Sequence, residues 1–77
     1  MRRLGTVVRA AQGLAIVRAP PDAGDPPAIG TTAVDESLAT VGRVVDAFGP
    51  VDRPYLALDP ADGIDPAGLL DAPVYAR

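Results

Sequence analysis

A chain of 77 residues makes one domain at most, because so short a polypeptide buries only about 60–65% of its unfolded surface. With no His and no Cys, it lacks disulfides, thiolate metal sites, the commonest general base and the thiol nucleophile. A net charge of −3 counts against gripping phosphate backbones unaided, since that binding is driven by Lys and Arg displacing counterions.

Met1-Arg2-Arg3 is basic, but Leu4-Gly5-Thr6-Val7-Val8-Arg9 after it is too short and interrupted for a signal-peptide apolar region. No apolar run approaches the length of a membrane helix, so a cytoplasmic protein is expected. Gly5–Arg9 and Leu14–Arg18 are apolar, β-branched runs around Ala10-Ala11-Gln12-Gly13, the spacing of a hairpin in which Gly supplies positive φ. From Ala19 to Pro27 the chain carries Pro20, Pro21, Pro26 and Pro27 and cannot join a ladder. This proline-rich loop, about 19–29, is long for its domain, which marks it as functional or mobile. No residue in it resembles a site, which favours mobility.

Gly30–Val34 reads as a third strand, Asp35-Glu36-Ser37 as a turn, and Thr40–Phe48 as the longest strand. On a two-residue period Val41 and Val45 face one way and Val44 and Phe48 the other, so this strand is expected to be covered on both sides, in a small barrel by a partner. Gly42 within it reads as a close backbone approach or a bulge. Gly49-Pro50 turns the chain, Pro54 leads into a fifth strand, Tyr55–Leu58, and Asp59-Pro60 stops it. Asp65-Pro66-Ala67-Gly68-Leu69-Leu70 has Asp at the cap and Pro at the first position of a single helical turn. Pro73–Ala76 is the last strand. Six short strands, no sustained helical periodicity and no internal repeat predict an all-β fold, a closed or nearly closed six-stranded barrel. Closure leaves little free strand edge, so a monomer is expected before any assembly.

Catalytic chemistry is sparse. Ser37, the only serine, sits in an acidic turn without an evident base. Asp59-Pro60-Ala61-Asp62-Gly63-Ile64-Asp65 gathers three carboxylates around a glycine, but a calcium loop needs acids at alternate positions and a bidentate Glu further on. It reads as a solvated acidic loop, and neither a metal nor a cofactor is expected. Arg2, Arg3 and Arg9 form either a small basic corner for RNA or ordinary surface. All seven cations are Arg and nine of the ten acids are Asp. Both a high-salt cytoplasm, where short Debye lengths make acidic surfaces inexpensive, and GC-rich codon usage produce that bias.

The run Val41-Gly42-Arg43-Val44-Val45-Asp46-Ala47-Phe48-Gly49-Pro50-Val51-Asp52-Arg53-Pro54-Tyr55 resembles the signature of the Gar subunit of H/ACA ribonucleoproteins. That signature is Val-Gly, a valine-rich strand, Asp, Phe-Gly-Pro-Val, two variable residues, then Pro-Tyr. Leu4-Gly5-Thr6-Val7 and Gly13–Arg18 resemble the family's first hairpin, so the likeness spans about Leu4 to Leu58, with a looser tail from Pro60. The resemblance implies a six-stranded barrel of the translation-factor-like type. It implies a non-catalytic accessory subunit that binds a dyskerin-type pseudouridine synthase directly. Guide RNA and the other ribonucleoprotein components are met only indirectly, and the subunit promotes substrate turnover in rRNA pseudouridylation. The chain lacks the Gly- and Arg-rich tails of eukaryotic members, which is the archaeal pattern.

The expected partner-binding residues are Val41, Val44, Phe48, Gly49, Pro50, Val51, Pro54 and Tyr55. Their plain structural reading is a turn closing two strands, with Phe and Tyr filling a small core. Against it, a tight loop normally prefers polar residues, and a rigid apolar loop loses little entropy on docking. Asp46 is read either as a turn hydrogen-bond acceptor or as the partner of an arginine on another protein. The alternative function, a stand-alone RNA-binding barrel, calls for stacking aromatics and a basic face.

Overall fold

The computed structural model describes residues 2–77. Six strands, β1 (Arg2–Ala11), β2 (Leu14–Arg18), β3 (Thr32–Val34), β4 (Thr40–Phe48), β5 (Tyr55–Pro60) and β6 (Pro73–Ala76), close into a barrel in the order β1-β2-β5-β4-β3-β6. Every neighbouring pair is antiparallel. The predicted hairpin turns on Gln12 and Gly13, both at positive φ (53° and 79°), the conformation whose twist matches that of the flanking strands. Asp59 and Pro60 do not stop the fifth strand, which runs through both because they pair with Arg43 and Gly42. Pro66–Leu69 forms one 3-10 turn whose Asp65 cap accepts a hydrogen bond from the Ala67 amide, and Leu69 packs against the core.

The interior is aliphatic: Leu4, Val7, Val17, Val41, Val44, Leu56, Leu58 and Val74 with Ala15 and Ala33. Val41 and Val44 are both buried and lie in this one cluster, whereas Val45 and Phe48 are exposed. The two-sided reading of β4 therefore fails. Its cause is a pair of bulges: Val41 is extra against β3, between partners Thr40 and Gly42, and Val45 is extra against β5, between Val44 and Asp46. Each bulge reverses the inward and outward alternation, so residues three apart, Val41, Val44 and Ala47, all pack on the core.

The same device operates in β1, where Leu4 is extra against β6 and Val8 against β2, placing Leu4 and Val7 inside together. The agreement extends to the registers of the remaining strands and overturns the expectation of no internal repeat. Leu4-Gly5-Thr6-Val7-Val8-Arg9-Ala10 and Val41-Gly42-Arg43-Val44-Val45-Asp46-Ala47 carry Gly, Val-Val and Ala at the same steps. The main chain of Val7 donates to Ala72 and accepts from Asp71 (3.0 and 2.8 Å), while Val44 donates to Thr31 and accepts from Gly30 (2.9 and 2.7 Å). Asp71 and Gly30 both adopt positive φ. The turn closed by Ala23 N–H on Pro20 O matches that closed by Ile64 N–H on Ala61 O. The barrel is thus two β-β-β units, β1–β3 and β4–β6, related by a pseudo-twofold axis.

The proline-rich loop, expected from sequence to be mobile, makes hydrogen bonds with the barrel. The Arg2 guanidinium donates to the carbonyls of Ala23 and Asp25, and the Ala19 amide donates to Pro54 O.

Candidate functional site

The two β-β-β units differ most in the connection between their first two strands. Gln12 and Gly13 suffice in the first; in the second, Gly49 to Pro54 form a longer loop. Arg53 N–H donates to Pro50 O (3.3 Å), closing a turn with Val51 and Asp52 at its corners. Val51 is 97% exposed, an isopropyl group at the tip of this hydrogen-bonded turn and flanked by Pro50. Gly49 sits at φ 90°, and a Cβ there would lie 3.0 Å from the Tyr55 ring, so glycine is required for the chain to turn across that ring.

Phe48 and Tyr55 are directly paired across β4 and β5 and their rings stack with centroids 5.7 Å apart and planes 20° apart. Such a pair contributes about 0.5–1.5 kcal/mol beyond area burial. Tyr55 in turn pairs with Arg18 of β2, and Arg18 with Thr6 of β1. The Arg18 guanidinium carbon lies 5.0 Å from the Tyr55 ring centroid, and its terminal nitrogen donates to the Tyr55 hydroxyl at 2.9 Å. Phe48, Tyr55, Arg18 and Thr6 therefore form one row across four strands.

This geometry sorts the residues singled out from sequence. Phe48, Gly49, Pro50 and Val51 are exposed and Tyr55 is half-buried, so these five share one surface. Val41 and Val44 are core, and Pro54 is buried with its carbonyl bonded to Ala19; these three cannot present side chains to a partner while the barrel is folded. The correction for the two valines follows from the bulges. Asp46 is exposed and its carboxylate accepts from the Ala47 amide of its own strand at 2.8 Å, not from the turn. Val45 and Phe48, 37% and 40% exposed, are the apolar side chains that β4 presents outward.

Ser37 is committed to its own turn, donating its hydroxyl to Asp35 at 2.7 Å. The Asp35 carboxylate also accepts from the amides of Ser37 and Ala39. The Ser37 hydroxyl, with these amides, holds its pKa below the ordinary aspartate value of 3.8.

The basic corner of Arg2, Arg3 and Arg9 does not assemble as such. Arg2 turns to the proline-rich loop, whereas Arg3 joins Arg18 and Arg53 around a cleft of about 310 Å³ whose wall includes Thr6, Pro20 and Pro21. The signal for this cluster was unavailable to spacing, because Arg53 arrives from the loop after β4 and is fixed there by its Nε–H bond to Ala19 O (3.0 Å). Among the described residues no group of acids arranged to hold a metal ion occurs, and no helix is long and apolar enough to cross a membrane. No family model matches the chain, and no curated protein matches it.

Proposed function

We propose that this barrel is a non-catalytic accessory subunit of an archaeal H/ACA ribonucleoprotein. In this reading it docks on a dyskerin-type pseudouridine synthase through the loop Gly49–Arg53 and the adjoining Phe48–Tyr55 pair. It thereby promotes substrate turnover in rRNA pseudouridylation. The reading rests on the resemblance of the Val41–Tyr55 run to the Gar signature. The observation that carries it is Val51, held 97% exposed at the tip of a proline-flanked turn. A large apolar side chain so placed contributes nothing to this fold, and exposed apolar groups on rigid loops are suited to burial against a partner. The stacked Phe48 and Tyr55 beside it supply the aromatic surface enriched in the cores of protein interfaces. The all-arginine, aspartate-rich composition supports a high-salt archaeal cytoplasm as the setting.

Size-exclusion chromatography of the barrel mixed with the dyskerin-type synthase, at molar salt, tests the reading. One-to-one co-elution is expected, and Val51→Asp should abolish it while changing barrel stability by less than about 0.5 kcal/mol, as for an exposed substitution. Separate peaks from two folded proteins would remove the synthase as partner. Co-elution that survives Val51→Asp would move the interface off the loop.

A further inference from the structure

The cleft beside the loop has a chemistry of its own. In a chain of net charge −3, three arginines, Arg3, Arg18 and Arg53, converge on one cleft of about 310 Å³, and no carboxylate lines it. Their hydrogen bonds go to neutral acceptors: Arg3 to the Thr6 hydroxyl at 3.0 Å, Arg18 to the Tyr55 hydroxyl at 2.9 Å, and Arg53 to the Ala19 carbonyl at 3.0 Å. A guanidinium carries five N–H donors, so most of the donor capacity around the cleft is uncommitted. Arg18 Nε is buried without a hydrogen-bond partner in the protein, and the terminal nitrogen bonded to the Tyr55 hydroxyl holds the guanidinium on the cleft wall.

The pseudo-twofold axis supplies an internal control. Arg18 is paired across the strands with Thr6, and at the equivalent place Asp59 is paired with Arg43. The residues paired there carry opposite charges, whereas Arg18 is paired with a residue bearing a neutral hydroxyl. Pro21 on the cleft wall corresponds to Asp62 in the second unit. The same backbone therefore carries an acid opposite a base at one end and only bases among its charged cleft-lining residues at the other, and the basic end is the one continuous with the Gly49–Arg53 loop through Arg53 itself.

We propose that this cleft is a carboxylate-binding site that receives an acidic side chain of the protein partner while Val51 and Phe48 are covered. The proposal rests on the docking reading above and adds a charged anchor to its apolar one. Planar guanidinium forks match a carboxylate in a bidentate manner. A protein surface brought down on Val51 passes over Arg53 and hence over the cleft. A nucleic-acid occupant is disfavoured because a small isolated basic cleft on an acidic barrel neutralises few phosphates.

Two measurements test it. In the first, the side-chain Nε–H of Arg18 is followed by nitrogen-resolved NMR while acetate, as the carboxylate probe, is titrated at constant ionic strength. A saturable shift is expected in the unaltered protein and in Arg43→Glu, and its loss in the double variant Arg3→Glu/Arg53→Glu; no saturable shift in the unaltered protein overturns the site. In the second, affinity for the synthase is measured by calorimetry. The double variant, its fold checked by its melting curve, should bind at least about tenfold more weakly, with Arg53→Gln intermediate and Arg43→Glu within about twofold of the parent. Should the double variant fail to fold, Arg53→Gln alone carries the test. Unchanged affinity in a folded charge variant overturns the proposal while leaving the docking reading intact. Failure of the unaltered barrel to bind removes both. A guide RNA retarded by the unaltered barrel but not by the double variant, with synthase binding unchanged, would make the occupant a phosphate and overturn the proposal.

Discussion

Leu4–Ala10 and Val41–Ala47 lose register at equivalent residues and bury Leu4 and Val7 in the one as Val41 and Val44 in the other, yet their outward chemistry is opposite. Arg9 and Arg18 in the first unit stand where Asp46 and Asp59 stand in the second. A two-residue turn in the first becomes the Gly49–Pro54 loop in the second. What the halves share is what closing a small barrel demands: a glycine at the tightest strand approach, two bulges that turn the strand, and valines inside. Where they differ, closure makes no demand, and there the candidate interface lies.

The largest effect that can break this comparison is at the paired glycines. A Cβ on Gly42 would meet Asp59 O at 2.5 Å, and one on Gly5 would press still closer on Arg18 O from a backbone at φ 144°. Both clashes are against main chain, which cannot swing aside. Overpacking of this kind costs about 1–3 kcal/mol and a disallowed φ about as much again. Gly5→Ala should therefore cost about 3 kcal/mol or more and Gly42→Ala about 2 kcal/mol, read from denaturant unfolding. The reverse order would mean that the two approaches are not equivalent in kind.

Next in size is the pair Val7→Ala and Val44→Ala. Both side chains are fully buried and bonded through their main chains in the same way to the opposite unit. Each truncation should cost about 2 kcal/mol, and the two values should agree within about 0.5 kcal/mol. A clear inequality would show that the core is organised around one unit, with the other folded onto it.

The strand count, the hairpin and the capped 3-10 turn were legible because each has a local signature: β-branched runs, Gly after a polar turn residue, Asp-Pro at a helical start. The inward face of β4 was not, because a strand with two bulges buries residues three apart and defeats any two-residue period. Gly5 and Gly42 are the visible trace of that geometry, and the Gly-x-Val-Val-x-Ala steps around them were the available sign of the repeat. For the candidate site, Phe48 to Val51 was legible as an apolar turn. The arginine cleft was not, since Arg3, Arg18 and Arg53 come from β1, β2 and the loop after β4 and meet only when the barrel closes.

The smallest effect sharpens the comparison at the unit ends. Asp35 follows β3, and the equivalent place after the core residues of β6 is Ala76, so only the first unit ends in an acid that closes a turn. The Asp35 carboxylate accepts from Ser37 Oγ and from the amides of Ser37 and Ala39, and the turn holds Leu38 at φ 70°. Its pKa is lowered in the folded protein, first by the Ser37 hydroxyl. A carboxyl depressed on folding contributes stability that is fully present above the unfolded value and is lost as pH falls through the folded one. The loss therefore begins near the ordinary aspartate value of 3.8 and continues below it. In Asp35→Asn no proton is bound there on unfolding, so this component of the acid dependence should vanish and the urea midpoint should fall less between neutral pH and acid than in the parent. Since the Asp35 carboxylate is held only by solvent-exposed hydrogen bonds within its own turn, the difference should be small, and an acid dependence unchanged by Asp35→Asn would mean that the turn holds its shape without the carboxylate.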